Sequence, residues 1–287
     1  MIELDATTIS TSNADDLAFS ALADVCTLTG DLDVRIVGGQ MAHLLLCAFP
    51  SANALARRTA DADAAIGTEL AASGDVHELL TDAGYAAAAG NSYVKDGQQV
   101  DLLVPNRSSG FRTEVLGGRG FDAAPGIAFA LALPPILIHV SVTLTGDRIL
   151  RFDARVPPVE AAVTLKANAY RSRLADRDLV DLHNLLWILE ERDAGAIGGW
   201  ALDRAASGSR GDAQRALADI LRMLSRRSTR PTLEVQPETL VALIRRHVAV
   251  PRLIRPATPP PALSRARRCA GCDRRRRAAS RGRRCCW

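Results

Sequence analysis

Hydrophobic positions along this 287-residue chain follow two periods, and the change between them divides it. Up to about residue 157, short apolar runs alternate with turn residues; beyond it, apolar residues recur every three or four positions. Residues 14–29 have the spacing of an opening helix, 34–37 of a short strand, 40–48 of a second helix, and 75–83 of a helix closed by Gly84. Residues 93–104 predict a hairpin around Lys95-Asp96-Gly97, and 136–156 a strand pair turning at Thr145-Gly146-Asp147. Residues 105–125, rich in Gly, Ser, Asn and Arg, predict a loop. From Pro158 onward, helices are predicted at about 159–173, 176–192, 211–226 and 237–248, and Leu179, Leu182, Leu186 and Leu189 form an inward stripe. No internal repeat is visible. The fold class this predicts is α/β (α+β): a mixed-sheet head over residues 1–157 and a helical domain over 158–255, its helices bundled against the head.

Composition refines this picture at the ends. A 47% hydrophobic content is ample for a sizeable core. The longest apolar stretch, 127–142, contains Pro134, Pro135 and His139 and falls short of the about 20 residues of a spanning helix. The start of the chain lacks a basic then apolar leader, so the expectation is no membrane and a cytoplasmic location. Residues 256–287 hold ten arginines against one aspartate, a net +9; set against the total of +4, the rest of the chain carries −5. This stretch opens with a proline-rich linker and has few residues able to build a core, which predicts a disordered basic tail. Such a tail fits nonspecific contact with RNA phosphates, and equally an out-of-frame or degenerate extension of a GC-rich gene.

Cysteines follow the same division. Cys26 and Cys47 sit in helical, apolar settings and read as buried hydrophobes. The other four, Cys269, Cys272, Cys285 and Cys286, give one Cys-x-x-Cys followed by an adjacent pair, a weak version of a zinc pattern that reads more simply as unpaired thiols. The five histidines show no close ligand pair, which argues against zinc catalysis.

The chemistry-bearing residues lie in the head and in the first two helices after it. In Arg58-Thr59-Ala60-Asp61-Ala62-Asp63, an extended backbone points Asp61 and Asp63 to the same face, roughly 7 Å apart. Asp101, within the apolar run of residues 99–104, adds a third carboxylate if its strand lies beside the first. Carboxylates so placed suit hard cations such as Mg²⁺ or Mn²⁺, whose shells are completed by water and substrate phosphates. Gly38-Gly39, between a strand and a helix, permits close backbone approach and leaves helix N–H groups for an anion, although a plain strand-to-helix turn needs glycine too. Of 36 basic residues only Lys95 and Lys166 are lysines. Lys95 belongs to a turn, whereas Lys166 falls mid-helix on one face with Tyr170 and Arg173, a pattern for phosphate contact or for a solvated helix face. Asp176 is placed to cap the next helix, with Asp178 and Asp181 on one face behind it.

Together these residues resemble the nucleotidyltransferase superfamily. The ordered series Gly38-Gly39, Arg58-Thr59-x-Asp61-x-Asp63, Val100-Asp101-Leu102-Leu103, Lys166, Arg173, Asp178-Leu179 and Asp181-Leu182 more narrowly resembles the AbiEii/AbiGii toxin family of type IV toxin–antitoxin systems, over about residues 30–190. The resemblance implies a nucleotidyltransferase head and transfer of a nucleoside monophosphate from an NTP to an acceptor, RNA and particularly a tRNA 3′ end. It further implies a cognate antitoxin as partner. Asp61, Asp63 and Asp101 would hold Mg²⁺ or Mn²⁺ and act in catalysis with Lys166. Gly38, Gly39, Arg58, Thr59, Lys166, Arg173, Asp178 and Asp181 would border the nucleotide. One position departs from the pattern: Gln40 stands where many members place a small or hydroxyl residue, so no hydroxyl is available there for a phosphate. The same carboxylates would also serve a small-molecule, aminoglycoside-type nucleotidyltransferase, and the same frame a non-catalytic nucleotide- or RNA-binding module.

Overall fold

A computed structural model describes residues 2–106, 110–225 and 234–250 of the chain. All of these fall in one compact unit spanning residues 1–251. The smaller of two sheets joins β1 (Ile2–Ile9), β9 (Ile136–Thr143) and β10 (Ile149–Val156) in the order β1-β9-β10. β1 runs parallel to β9, and β10 returns antiparallel through the turn at Asp147, whose φ is 60°. Ile136, Ile138, Val140 and Val142 alternate into the core, as the period of two requires. The larger sheet runs β2 (Arg35–Ile36), β3 (Ala62–Ala65), β6 (Gln98–Asn106), β5 (Ser92–Lys95) and β4 (Ala86–Ala89). β8 (Arg119–Pro125) pairs with the far half of β6, and β7 (Arg112–Leu116) lies outside β8.

Helix α1 (Asn13–Leu28) starts where Ser12 Oγ accepts a hydrogen bond from the Asp15 N–H, and it packs against both sheets through β10 and β6. Helix α2 (Gly38–Ala48) lies on β1 and β3, while α3 (Thr68–Ser73), α4 (Asp75–Asp82) and α5 (Ile127–Ala132) are short connectors. The second half supplies α6 (Val159–Arg173), α7 (Asp176–Glu191), α8 (Gly208–Ser225) and α9 (Pro237–His247). Helix α6 is the hub. Its Ala161, Ala162 and Ala167 are fully buried, and small side chains there let α7 and α8 approach closely from two sides. Among the described residues no helix is long and apolar enough to cross a membrane.

The α/β class, the hairpin at Asp96-Gly97 and the helices of the second half match the sequence reading. Residues 105–125 do not form a loop: β6 continues to Asn106, and β7 and β8 form a hairpin turning at Gly117-Gly118, with φ of 55° and 78°. Gly117 is required twice, since a Cβ there would lie 2.5 Å from the Ala72 carbonyl oxygen. Ala175, not Asp176, occupies the N-cap of α7, and no side chain caps it. Strand β1 was not anticipated. The predicted tail, residues 256–287, and its four cysteines lie outside the described residues.

Candidate active site

Strand register assembles the carboxylates. β3 runs parallel to β6 with Asp63 opposite Asp101, and Asp61 immediately precedes β3. One carboxylate oxygen from each of Asp61, Asp63 and Asp101 lies within 4.8 Å of the others. Two are held by neighbours: Thr59 Oγ1 donates to Asp61 Oδ1 at 2.5 Å, and Gln99 Nε2 donates to Asp101 Oδ2 at 3.0 Å. Removal from water, and then the Asp61 charge, push the Asp63 carboxyl up to about 7; Asp101 adds to the rise, while Lys166 and Arg173 oppose it. Three half-buried carboxylates that repel one another, offering only oxygen donors, fit a hard divalent cation, which would relieve that repulsion.

The glycine pair has a steric task that sequence alone did not specify. Gly38 has a φ of 64°, and a Cβ on it would come 1.7 Å from Asp63 Oδ2. A Cβ on Gly39 would meet Arg57 Nη1 at 2.7 Å and Thr59 Cβ at 2.8 Å. The pair thus lets Asp63 and the 50–61 segment lie directly against the start of α2. The first α2 turn, closed by Met41 N–H on the Val37 carbonyl, leaves its preceding N–H groups without helical partners. Gln40 turns into the core.

A cavity of about 390 Å³ opens above these groups. Asp61, Asp63, Asp101, Arg57, Lys166 and Arg173 line its polar side. Leu103, Phe111, Pro125, Ile127 and Leu165 line an apolar side.

Lys166 is not the solvent-facing ligand that the helical spacing predicted. It is 2% exposed, with Nζ 2.6 Å from Asp181 Oδ2 and 3.7 Å from Asp178 Oδ1. Asp181 Oδ2 has this ammonium as its charge partner yet no donor aligned for a hydrogen bond. Asp178 is fully buried and accepts a two-pronged contact from Arg173, Nε at 2.7 Å and Nη2 at 2.6 Å. Asp181 also accepts from Arg57 Nη1 at 3.1 Å. Asp178 and Asp181 therefore lie beneath the cavity, fixing the cations that line it, and are not themselves on its wall. Tyr170, predicted beside Lys166, is a core residue whose hydroxyl donates to Met223 Sδ at 2.9 Å.

Arg58 also differs from expectation. Its guanidinium lies 3.3 Å from His43 Nε2 and 3.7 Å from Asp15, away from the triad cavity, in a separate groove that reaches Asp61. Arg57 takes the place predicted for it. The signal was available: in an extended segment Arg57, Thr59 and Asp61 share one face, and Arg58 faces the other way. Arg177, just before the Asp178 and Asp181 pair, also lines the cavity, as do Asn91, Phe111 and Asp122, which no sequence motif marked. His43, where burial and then the Arg58 charge hold the pKa down to about 4, accepts from Arg58 as a neutral ring. Compared with protein-family models, curated proteins and solved structures, the chain gives no match.

Proposed function

We propose that this protein is a metal-dependent nucleotidyltransferase that moves a nucleoside monophosphate from an NTP to RNA, and that it acts in the cytoplasm as the toxin of a toxin–antitoxin pair. The observation that carries the reading is the Asp61–Asp63–Asp101 cluster set against a glycine-opened helix start, with Arg57, Lys166 and Arg173 in the same cavity. RNA, a tRNA 3′ end in particular, and an antitoxin partner rest on the resemblance of the motif series.

Asp61, Asp63 and Asp101 would hold Mg²⁺ or Mn²⁺, which supplies electrostatic stabilisation of charge on the phosphate oxygens. The chain's own groups account for the rest. Free N–H groups at the start of α2 and the positive end of its dipole receive phosphate oxygens. Arg173, braced by Asp178, and Arg57, braced by Asp181, bring fixed guanidinium groups to the triphosphate without the entropy of unrestrained arginines. Lys166, almost fully buried at the cavity wall, contributes its field. The acceptor hydroxyl oxygen bonds to the α-phosphorus as the bond to the bridging oxygen breaks. Pyrophosphate leaves, and the hydroxyl proton passes to Asp101, which Gln99 orients.

Incubation with each α-labelled NTP, total RNA and Mg²⁺ tests the reading. Asp61→Asn and Asp63→Asn are expected to lose transfer of label while melting as the parent does. Unchanged transfer in either variant, or no label transfer by the parent with any NTP, would overturn it.

A further inference from the structure

The apolar side of the cavity carries two features that the proposed chemistry does not use. Asp122 lies on its wall with its side chain exposed, and no hydrogen bond or ion pair to that carboxylate is found among the described residues. Phe111 lies on the same wall and is 42% exposed, so part of its ring is open to a planar ligand.

Register relates Asp122 to the carboxylate cluster. Along β6, Asp101 and Leu103 are two residues apart and share a face. Leu103 pairs with Asp122 of β8, and Asp122 in turn pairs with Thr113 of β7. One pleat and one strand spacing put Asp122 about 8 Å diagonally from Asp101. Phe111, immediately before β7, lines the same cavity. The side chains thus run in sequence from triphosphate chemistry, through Leu103, to an acceptor carboxylate and an aromatic ring. Asn91, also on the cavity wall, is held there by its amide N–H donating to the Leu102 carbonyl at 2.8 Å.

We infer that this arm of the cavity is a nucleobase subsite, in which Phe111 stacks on the base and Asp122 accepts a hydrogen bond from an exocyclic amino group. The inference rests on the nucleotidyltransferase reading and specifies its donor. An ionised carboxylate only accepts. Adenine, cytosine and guanine each present an amino group to it; uracil presents carbonyl oxygens on both sides of its single N–H, and these repel the carboxylate. A site built around a polar group discriminates by leaving that group unpaired in the wrong complex, so UTP is the disfavoured donor.

The test is calorimetric binding of non-hydrolysable α,β-methylene analogues of the four NTPs to the full chain in Mg²⁺. The parent is expected to bind the UTP analogue about tenfold or more weakly than the best of the others. Asp122→Asn, which can donate to the uracil O4, is expected to bring the four within about threefold. Phe111→Ala is expected to weaken all four about tenfold. Equal affinities in the parent overturn the subsite while leaving nucleotidyl transfer standing. A bias against UTP that survives in Asp122→Asn removes Asp122 from base reading, and an unchanged Phe111→Ala removes the stacking. No Mg²⁺-dependent binding of any analogue overturns both the subsite and the reaction.

Discussion

At the scale of single residues, the carboxylate positions were legible because their spacing alone sets their face. Asp61, Asp63 and Asp101 needed only the period of two and a parallel pairing of two strands. Lys166 shows where spacing fails. A helix face says which residues are neighbours on one element, not which element covers that face, and here α7 brings Asp178 and Asp181 over it. The consequence is a stability effect that an exposed lysine would lack. Lys166→Ala leaves Asp181, 2% exposed, with Arg57 as its remaining cation, and such truncations of a buried pair cost about 3–5 kcal/mol. The expected result is a clear fall in melting temperature together with loss of nucleotide transfer. Pairing Lys166→Met with Asp181→Asn separates the two effects: removing both charges should recover much of the stability but not the activity. Activity returning with stability in the double variant would reduce Lys166 to a structural role.

At the scale of elements, strongly periodic segments were readable and weakly periodic ones were not. Helix α7 announced itself through its leucine stripe, whereas β7 and β8 were hidden because glycine, serine, asparagine and arginine in 105–125 imitate a loop and only pairing with β6 makes them strands. The segment 50–61 was legible by its chemistry but not by its anchorage. It has little regular structure, yet it carries Arg57, Thr59 and Asp61. Helix α7 is its template: Asn184 Oδ1 accepts the Leu55 N–H at 2.8 Å, and Asn184 Nδ2 donates to the Leu55 carbonyl at 2.9 Å. Glu191 adds contacts to Ser51 and Asn53, at 2.9 and 3.2 Å. Asn184→Ala should therefore cost about 1–3 kcal/mol, since it leaves backbone groups of Leu55 unpaired. It should also raise the Mg²⁺ concentration for half-maximal transfer by about tenfold, as loss of outer support does in metal sites. A melting shift with unchanged Mg²⁺ dependence, measured well below the transition, would show that the clamp serves the fold alone.

At the scale of the whole molecule, charge was more legible than architecture. The change of period near residue 157 falls between β10 and α6, yet that boundary does not separate function from scaffold. Lys166 and Arg173 enter the cavity from α6, and α2, whose start borders Asp63, packs on α7. The charge asymmetry leads to the last prediction. Deleting residues 256–287 removes a net +9 and leaves a chain of net −5. Since residues 1–251 form a compact unit by themselves, the melting temperature of the shortened chain should match the parent's. RNA affinity should respond quite differently. A polyanion gains affinity from each cation that displaces its counterions, so the parent's log affinity should fall steeply with log salt concentration. On single-stranded RNA the slope should flatten on truncation by about 0.7 for each phosphate that the basic stretch neutralises. The cavity lies in the retained part, so turnover at saturating RNA should persist while the RNA concentration needed for saturation rises. Filter binding across a salt series and transfer assays on the two chains decide the matter. A lower melting temperature would make the basic stretch part of the fold, and identical salt slopes would assign it no role in holding RNA.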